Sequence, residues 1–112
     1  MNRERLKGNL DLLVLTVLAA GPAHGYAVIA GLRTRSGGTL DLPEGTVYPA
    51  LYRLEAAGLL SSTLSQVDGR KRRVYALTGQ GEAALATERA EWSRFVGSVQ
   101  AVLGWQPGPG IA

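Results

Sequence analysis

Residues 68–73 read Asp-Gly-Arg-Lys-Arg-Arg, four consecutive cations directly after a tight-turn dipeptide. Asp-Gly between two runs of strand-forming residues is a strong signal for a two-residue hairpin. Adjacent like charges repel, so such a run faces water or a polyanion. Carried on a projecting hairpin, Gly69, Arg70, Lys71, Arg72 and Arg73 can reach the phosphates or the minor groove of a duplex. A solvated loop is the alternative for the run taken alone.

A second group precedes it, in LPEGTVYPALYRLEAAGLL. At about 100° per residue, Val47, Ala50, Leu51 and Leu54 share one helical face, and Gly45, Pro49, Tyr52 and Ala56 lie opposite. Thr46 and Arg53 flank the polar side, with Tyr48 on its shoulder. Hydroxyls there can bond phosphates or base edges, and Arg53 can bond phosphate or pair bidentately with guanine. The helix N-terminus adds backbone N–H donors for phosphate. An amphipathic surface helix is the alternative. Pro49 removes an interior hydrogen bond and predicts a tightened or bent first half.

Other chemistry is poorly represented. The 112 residues contain no cysteine, which excludes disulfides, thiolate metal sites and Cys nucleophiles. His24 is the single histidine, without Ser or Asp at a catalytic spacing, and reads as structural or capping. The carboxylates are scattered; Glu88 and Glu91 accompany arginines and read as surface ion pairs. GGTLDLPEG lacks the Gly and Lys-Ser/Thr spacing of a phosphate loop. No enzyme, metal site or cofactor is expected. The net charge of +3 and isoelectric point of 9.7 say less than the clustering of the cations.

These groups need elements to hold them. Length and an apolar content of 46% suit one small domain. Leu10, Leu13, Val14, Val17 and Leu18 mark a first helix starting near Gly8–Asn9, with Asn9 at its N-cap, and stopping before Gly21-Pro22. Tyr26, Ile29 and Leu32, with Val28 beside them, mark a second that ends at Gly37-Gly38. The Val47 face marks the third, with Gly58 as its stop. Strands follow near 60–66 and 72–77. Pairing symmetric about Asp68-Gly69 sets Leu64 opposite Arg73 and Leu60 opposite Leu77. That puts Leu60, Leu64, Tyr75 and Leu77 on one face, anchoring the base while the charged tip projects.

Thr78 caps a last helix. Its Leu85, Trp92 and Val99 recur every seven residues, with Phe95, Val96, Val102 and Leu103 alongside. Burying Trp92, Phe95, Val96, Val99 and Leu103 contributes about 8–15 kcal/mol at about 1.5–3 each. Association costs about 4–15 kcal/mol, so a well-paired stripe, helped by the first helix, can hold a two-fold dimer; folding back on its own domain is the alternative. Arg3, Arg5 and Lys7 form a basic N-terminal stretch, and residues 104–112, rich in Gly and Pro, a flexible tail. The first 25 residues loosely resemble a signal peptide. Asn9 and Asp11 interrupt the apolar stretch, however, so it reads as a mature helix of a cytoplasmic protein. No uncharged stretch reaches the roughly 18 residues of a membrane span.

The expected fold is mainly α with a small β-hairpin (α+β): a winged helix-turn-helix domain over 1–78 and a dimerisation helix over 79–103. Four blocks carry a family likeness: GNLDLLVLTVLAAGPAHGYAVIAGL, LPEGTVYPALYRLEAAGLL, GRKRRVYALTGQGEAAL and EWSRFVGSVQAVL. In this order and spacing they span roughly residues 8–103 and resemble the PadR family of bacterial transcriptional regulators; HGY and GTVYPALYRLEAAGL are especially characteristic. The resemblance implies a winged-helix domain, a C-terminal dimerisation helix, action mainly as a repressor, and often a small aromatic or multidrug-like ligand. It implies that Thr46, Tyr48 and Pro49 stand at the DNA-facing start of the recognition helix. It also implies that Tyr26 lies near the DNA backbone with its hydroxyl toward a phosphate. Gly69 to Arg73 match the wing. Trp92 matches a dimer-centre aromatic that stacks on a flat ligand or simply packs. After the YPAL block the family often has His or Arg, which Tyr52-Arg53 match only through the Arg. A last helix ending near Leu103 is that of a short-type member, without an extended ligand domain.

The expected function is thus a homodimeric repressor of double-stranded DNA at a pseudo-palindromic operator, released by a small-molecule effector. The alternative is a winged-helix module that binds protein and not DNA. Only the former predicts a steep salt dependence. About four cations per wing would neutralise roughly 6–8 phosphates per dimer, a slope of about −5 to −7 in log K against log salt.

Overall fold

The computed structural model describes Leu6 and residues 8–104. The elements, in chain order, are α1 (Leu10–Ala19), β1 (Ala23–His24), α2 (Gly25–Arg35), α3 (Glu44–Ala56), β2 (Leu60–Val67), β3 (Arg70–Leu77) and α4 (Gly79–Leu103). This is the α+β architecture expected: helices and one three-stranded antiparallel sheet, ordered β1-β3-β2. The basic stretch Arg3, Arg5 and Lys7 and the tail beyond Gly104 lie outside the described residues.

Helix ends follow local chemistry. Asn9 holds the N-cap position of α1, which stops at Ala19 ahead of Gly21-Pro22. The His24 Nδ1 atom accepts the Ala27 N–H at 3.2 Å and caps α2, the structural role expected of it. At the end of α3, the Leu59 N–H reaches back to the Leu54 carbonyl and the Gly58 N–H to that of Glu55, both at 3.0 Å, which satisfies carbonyls the helix would otherwise orphan. Thr78 caps α4 by accepting the Gly81 N–H at 3.0 Å, and its hydroxyl donates to the Gly58 carbonyl at 2.6 Å. One side chain therefore ties the start of α4 to the end of α3.

The core gathers around α1, which packs on α2, α3, α4 and β3. Surrounded in this way, α1 is apolar on more than one side. Leu15, outside the stripe read from periodicity, is buried, whereas Leu13, inside it, is only half-buried. The stripe of α2 is corrected similarly: Gly25, Val28 and Leu32 are buried, Ile29 is half-buried, and Tyr26 stands 47% exposed. In α3 the expected face holds at every position, with Val47, Ala50, Leu51 and Leu54 buried. Gly45, Pro49, Tyr52 and Ala56 are exposed opposite them. The helix remains α-helical through Pro49. The Gly45 carbonyl left without a Pro N–H lies on the exposed face, where water can serve it.

The hairpin has the expected register, Leu64 opposite Arg73 and Leu60 opposite Leu77. Asp68 (φ 51°) and Gly69 (φ 78°) both take the left-handed region, as a two-residue turn matched to strand twist requires. The ladder runs closer to the turn than expected, to Val67–Arg70. Leu60 and Tyr75 anchor the base, but Leu64 does not: it is 64% exposed, beyond the reach of the helices.

The 25 residues of α4 extend about 37 Å at about 1.5 Å each. Only its first turns are locked in, through Gly81 and Leu85. Farther along, Trp92 (43%), Phe95 (61%) and Leu103 (72%) remain exposed. The stripe does not fold back to bury itself. It forms one wall of an apolar groove of about 770 Å³, whose other wall is Leu6, Leu12, Leu13 and Leu40.

Candidate nucleic-acid interface

The loop at 36–43 turns the chain from α2 into α3, and β3 brings its cations beside the start of α2. Three tyrosines join these elements. The Tyr26 and Tyr48 rings meet edge-on with centroids 6.0 Å apart, and Tyr48 and Tyr52 follow at 6.1 Å. Glu44, Tyr48 and Tyr52 recur at i, i+4 and i+8, one stripe of α3. The Arg72 guanidinium lies 5.2 Å from the centre of the Tyr26 ring.

Space for this row comes from Gly25. A Cβ there would sit well inside van der Waals contact with the Tyr48 ring, so the backbone of α2 can approach Tyr48 closely only as glycine. That is the physical content of the HG-Tyr sequence at the start of α2.

Electrostatics distinguishes the hydroxyls. A hydrogen bond to the Glu44 carboxylate, and that group's negative charge, push the Tyr26 phenol above its ordinary pKa; Arg72 and Arg70 pull against them. Burial, with Tyr26 and Glu44 adding to it, pushes the Tyr48 phenol up as well. Both remain protonated at neutral pH; the single Tyr26 proton is directed at Glu44, and the Tyr48 hydroxyl can donate to a phosphate oxygen.

The wing cations are not equivalent. Arg70, Lys71 and Arg73 are exposed, while Arg72 is half-buried against Tyr26. Arg73 also donates to the Ser62 hydroxyl at 3.1 Å, and Ser62 donates to the Glu55 carboxylate at 2.5 Å. This chain of bonds links the wing to the end of α3.

Among the residues picked from the sequence, the fold brings Tyr26, Tyr48 and Arg72 into one cluster. Thr46 and Pro49 lie on the same helix, half-buried and exposed respectively. Arg53 is differently placed. Its guanidinium donates to both Asp11 carboxylate oxygens, at 2.8 and 2.9 Å. This hydrogen bond raises its pKa, against a smaller opposing effect of burial. Arg53 thus ties α3 to α1. A double-mutant cycle of Arg53→Ala and Asp11→Ala should show a coupling of about 0.5–1 kcal/mol in unfolding free energy, the range for a well-formed exposed pair. Zero coupling would leave Arg53 free for another partner. The sequence reading missed Gly25, Asp11 and Glu44. Only Glu44 left a legible signal, its spacing to Tyr48 and Tyr52.

Trp92, Phe95, Val96 and Val99 lie at the far end of the molecule. The Trp92 and Phe95 rings are 6.1 Å apart along the groove. Among the described residues no group of His, Cys, Asp and Glu could hold a metal, and no helix is long and apolar enough to cross a membrane.

Comparison with known proteins agrees with this geometry. The chain is 60% identical over 87 residues to transcriptional regulator Rv3488 of Mycobacterium tuberculosis, an alignment covering 78% of each chain. A PadR family transcriptional regulator from Eggerthella lenta superposes with a TM-score of 0.79 at 31% identity, covering 92% of this chain and 88% of that one. One from Clostridium difficile gives 0.71 at 31% identity, covering 87% and 99%. The sequence model of the transcriptional regulator PadR-like family matches residues 14–87. With a winged hairpin, a tyrosine-lined α3 and these relatives, the chain belongs to the PadR-like family of transcriptional regulators.

Proposed function

We propose that this regulator binds double-stranded DNA as a homodimer and represses transcription. The observation that carries the reading is the convergence of the exposed stripe of α3 with the cationic wing, joined through Tyr26 and Arg72. Residues 1–78 form the DNA-binding unit. Thr46, Tyr48 and Pro49 lead α3 into the major groove, Tyr26 stands beside the DNA backbone, and Gly69, Arg70, Lys71 and Arg73 grip the flanking phosphates. Arg53 approaches the same backbone while held by Asp11. Residues 79–103 pair two copies through Trp92, Phe95, Val96 and Val99; the exposure of Trp92, Phe95 and Val99 in one copy needs a cover. Two α3 helices then meet successive major grooves of a pseudo-palindromic operator, about 34 Å apart, and polymerase is blocked sterically. A small aromatic effector entering the apolar groove would change the angle between the copies and mis-space the helices.

Fluorescence anisotropy with DNA from upstream of the protein's own gene tests this against a scrambled duplex. Three exposed cations on each of two wings predict a slope of about −5 in log K against log salt, together with selective binding. Equal, salt-insensitive binding to both duplexes would remove the DNA reading.

A further inference from the structure

Four consecutive cations on one strand look like four equivalent phosphate contacts, but their surroundings differ. Side chains alternate across β3, so Arg70 and Arg72 share one side and Lys71 and Arg73 the other. Arg70, Lys71 and Arg73 are exposed. Arg72 alone is half-buried, its guanidinium 5.2 Å from the Tyr26 ring centre. Tyr26 in turn meets the Tyr48 ring edge-on at 6.0 Å. Tyr48 belongs to α3, and Gly25 leaves it the space it needs. A continuous set of contacts therefore runs from the wing through α2 to the recognition helix.

Backbone pairing supports the same point. β1 pairs with β3 only at Ala23–Tyr75 and His24–Val74. Beyond Val74 toward the turn, β3 has no strand neighbour on that side. The β2–β3 ribbon projects there as two strands, an arrangement that twists easily without further support. Past the end of β1, Arg73 is tied on the other side of the ribbon through Ser62 to Glu55, and Arg72 on Tyr26 is the contact that ties this side to α2.

We infer that Arg72 is a positioning residue: stacked on Tyr26, it sets the angle of the wing against α3, while Arg70, Lys71 and Arg73 serve the phosphates. A cation over an exposed ring is worth about a two- to fivefold change in an equilibrium, enough to bias a flexible hairpin. Tyr26 then has two tasks, its face for Arg72 and its hydroxyl for Glu44 at the start of α3. This inference rests on the DNA-binding reading for its functional consequence but not for the contact itself, and the two are tested separately.

The first measurement needs no DNA. Hydrogen exchange of the amides of residues 70–73 in the free protein should accelerate about two- to fivefold in Arg72→Gln and in Tyr26→Ala, and no further in the double variant. Unchanged exchange, or additive acceleration, overturns the stack. The second compares Arg72→Gln with Arg70→Gln in operator titrations across salt. Arg70→Gln should flatten the slope by about 1.8, two contacts per dimer at about 0.9 each. Arg72→Gln should weaken operator binding several-fold with the slope retained. A slope flattened equally in both variants makes Arg72 an ordinary phosphate contact and overturns its positioning role. If the unsubstituted protein itself shows no selectivity or salt slope, the DNA reading fails, while the exchange data still decide the stack.

Discussion

Replacing Arg70, Lys71 and Arg73 together by Ser is expected to abolish operator binding at moderate salt. The three side chains are exposed, so the substitutions remove charge without opening the core. The proposed dimer would lose six cations, and a complex relying on about that many phosphate contacts changes affinity by about 10³-fold or more between 50 and 200 mM salt. The variant should bind at least about 100-fold more weakly near 0.1 M salt, with its slope reduced by about 5. Its melting temperature should stay within a few degrees of the parent, because exposed charges contribute little to stability. Anisotropy titrations with a parallel thermal melt check both halves. An unchanged affinity would identify the run as a solvated hairpin and favour a protein-binding module.

Gly25→Ala should destabilise the domain through a clash with one ring. The new Cβ overlaps the Tyr48 ring, and Tyr48 is held between Tyr26 and Tyr52. Overpacking of this kind costs about 1–3 kcal/mol, or about 5–20 °C in melting temperature for a domain of this size. The cost should depend on the ring. In a Tyr48→Ala background, Gly25→Ala should be nearly neutral, because the clashing atoms are gone, and a double-mutant cycle should return most of the single-variant penalty as coupling. DNA affinity should fall with the ring's displacement. An equal penalty with and without Tyr48 would assign the glycine to a backbone requirement instead.

The groove along α4 explains why the folded protomer leaves an aromatic stripe uncovered. Leu85 is buried near the base of the helix, but from Trp92 onward α4 stands off across the groove from Leu12, Leu13 and Leu40, and its aromatic side chains stay exposed. The 51 Å length of the chain against widths of 28 and 27 Å reflects this projection.

The features legible from residue order alone are local. Asp68-Gly69 set the hairpin turn and, with it, the register that places Leu64 against Arg73. Thr78 set the start of α4, Gly58 the end of α3, and the 3.6-residue period of Val47, Ala50, Leu51 and Leu54 the buried side of α3. Each follows from neighbours a few residues apart, whose dihedral preferences and hydrogen bonds do not wait for the rest of the chain. The remainder depends on how distant elements meet. β1 is only two residues long and exists because β3 offers it a partner. Arg53 and Asp11 are 42 residues apart in sequence and meet only when α3 packs on α1. Leu15 is buried because α1 is enclosed by other elements, and Leu64 is exposed because nothing reaches that far along the hairpin. Likewise, four cations that are equivalent in sequence become one stacked on Tyr26 and three facing water. Periodicity states which residues share a side of their own element; what covers that side depends on how several elements pack at once.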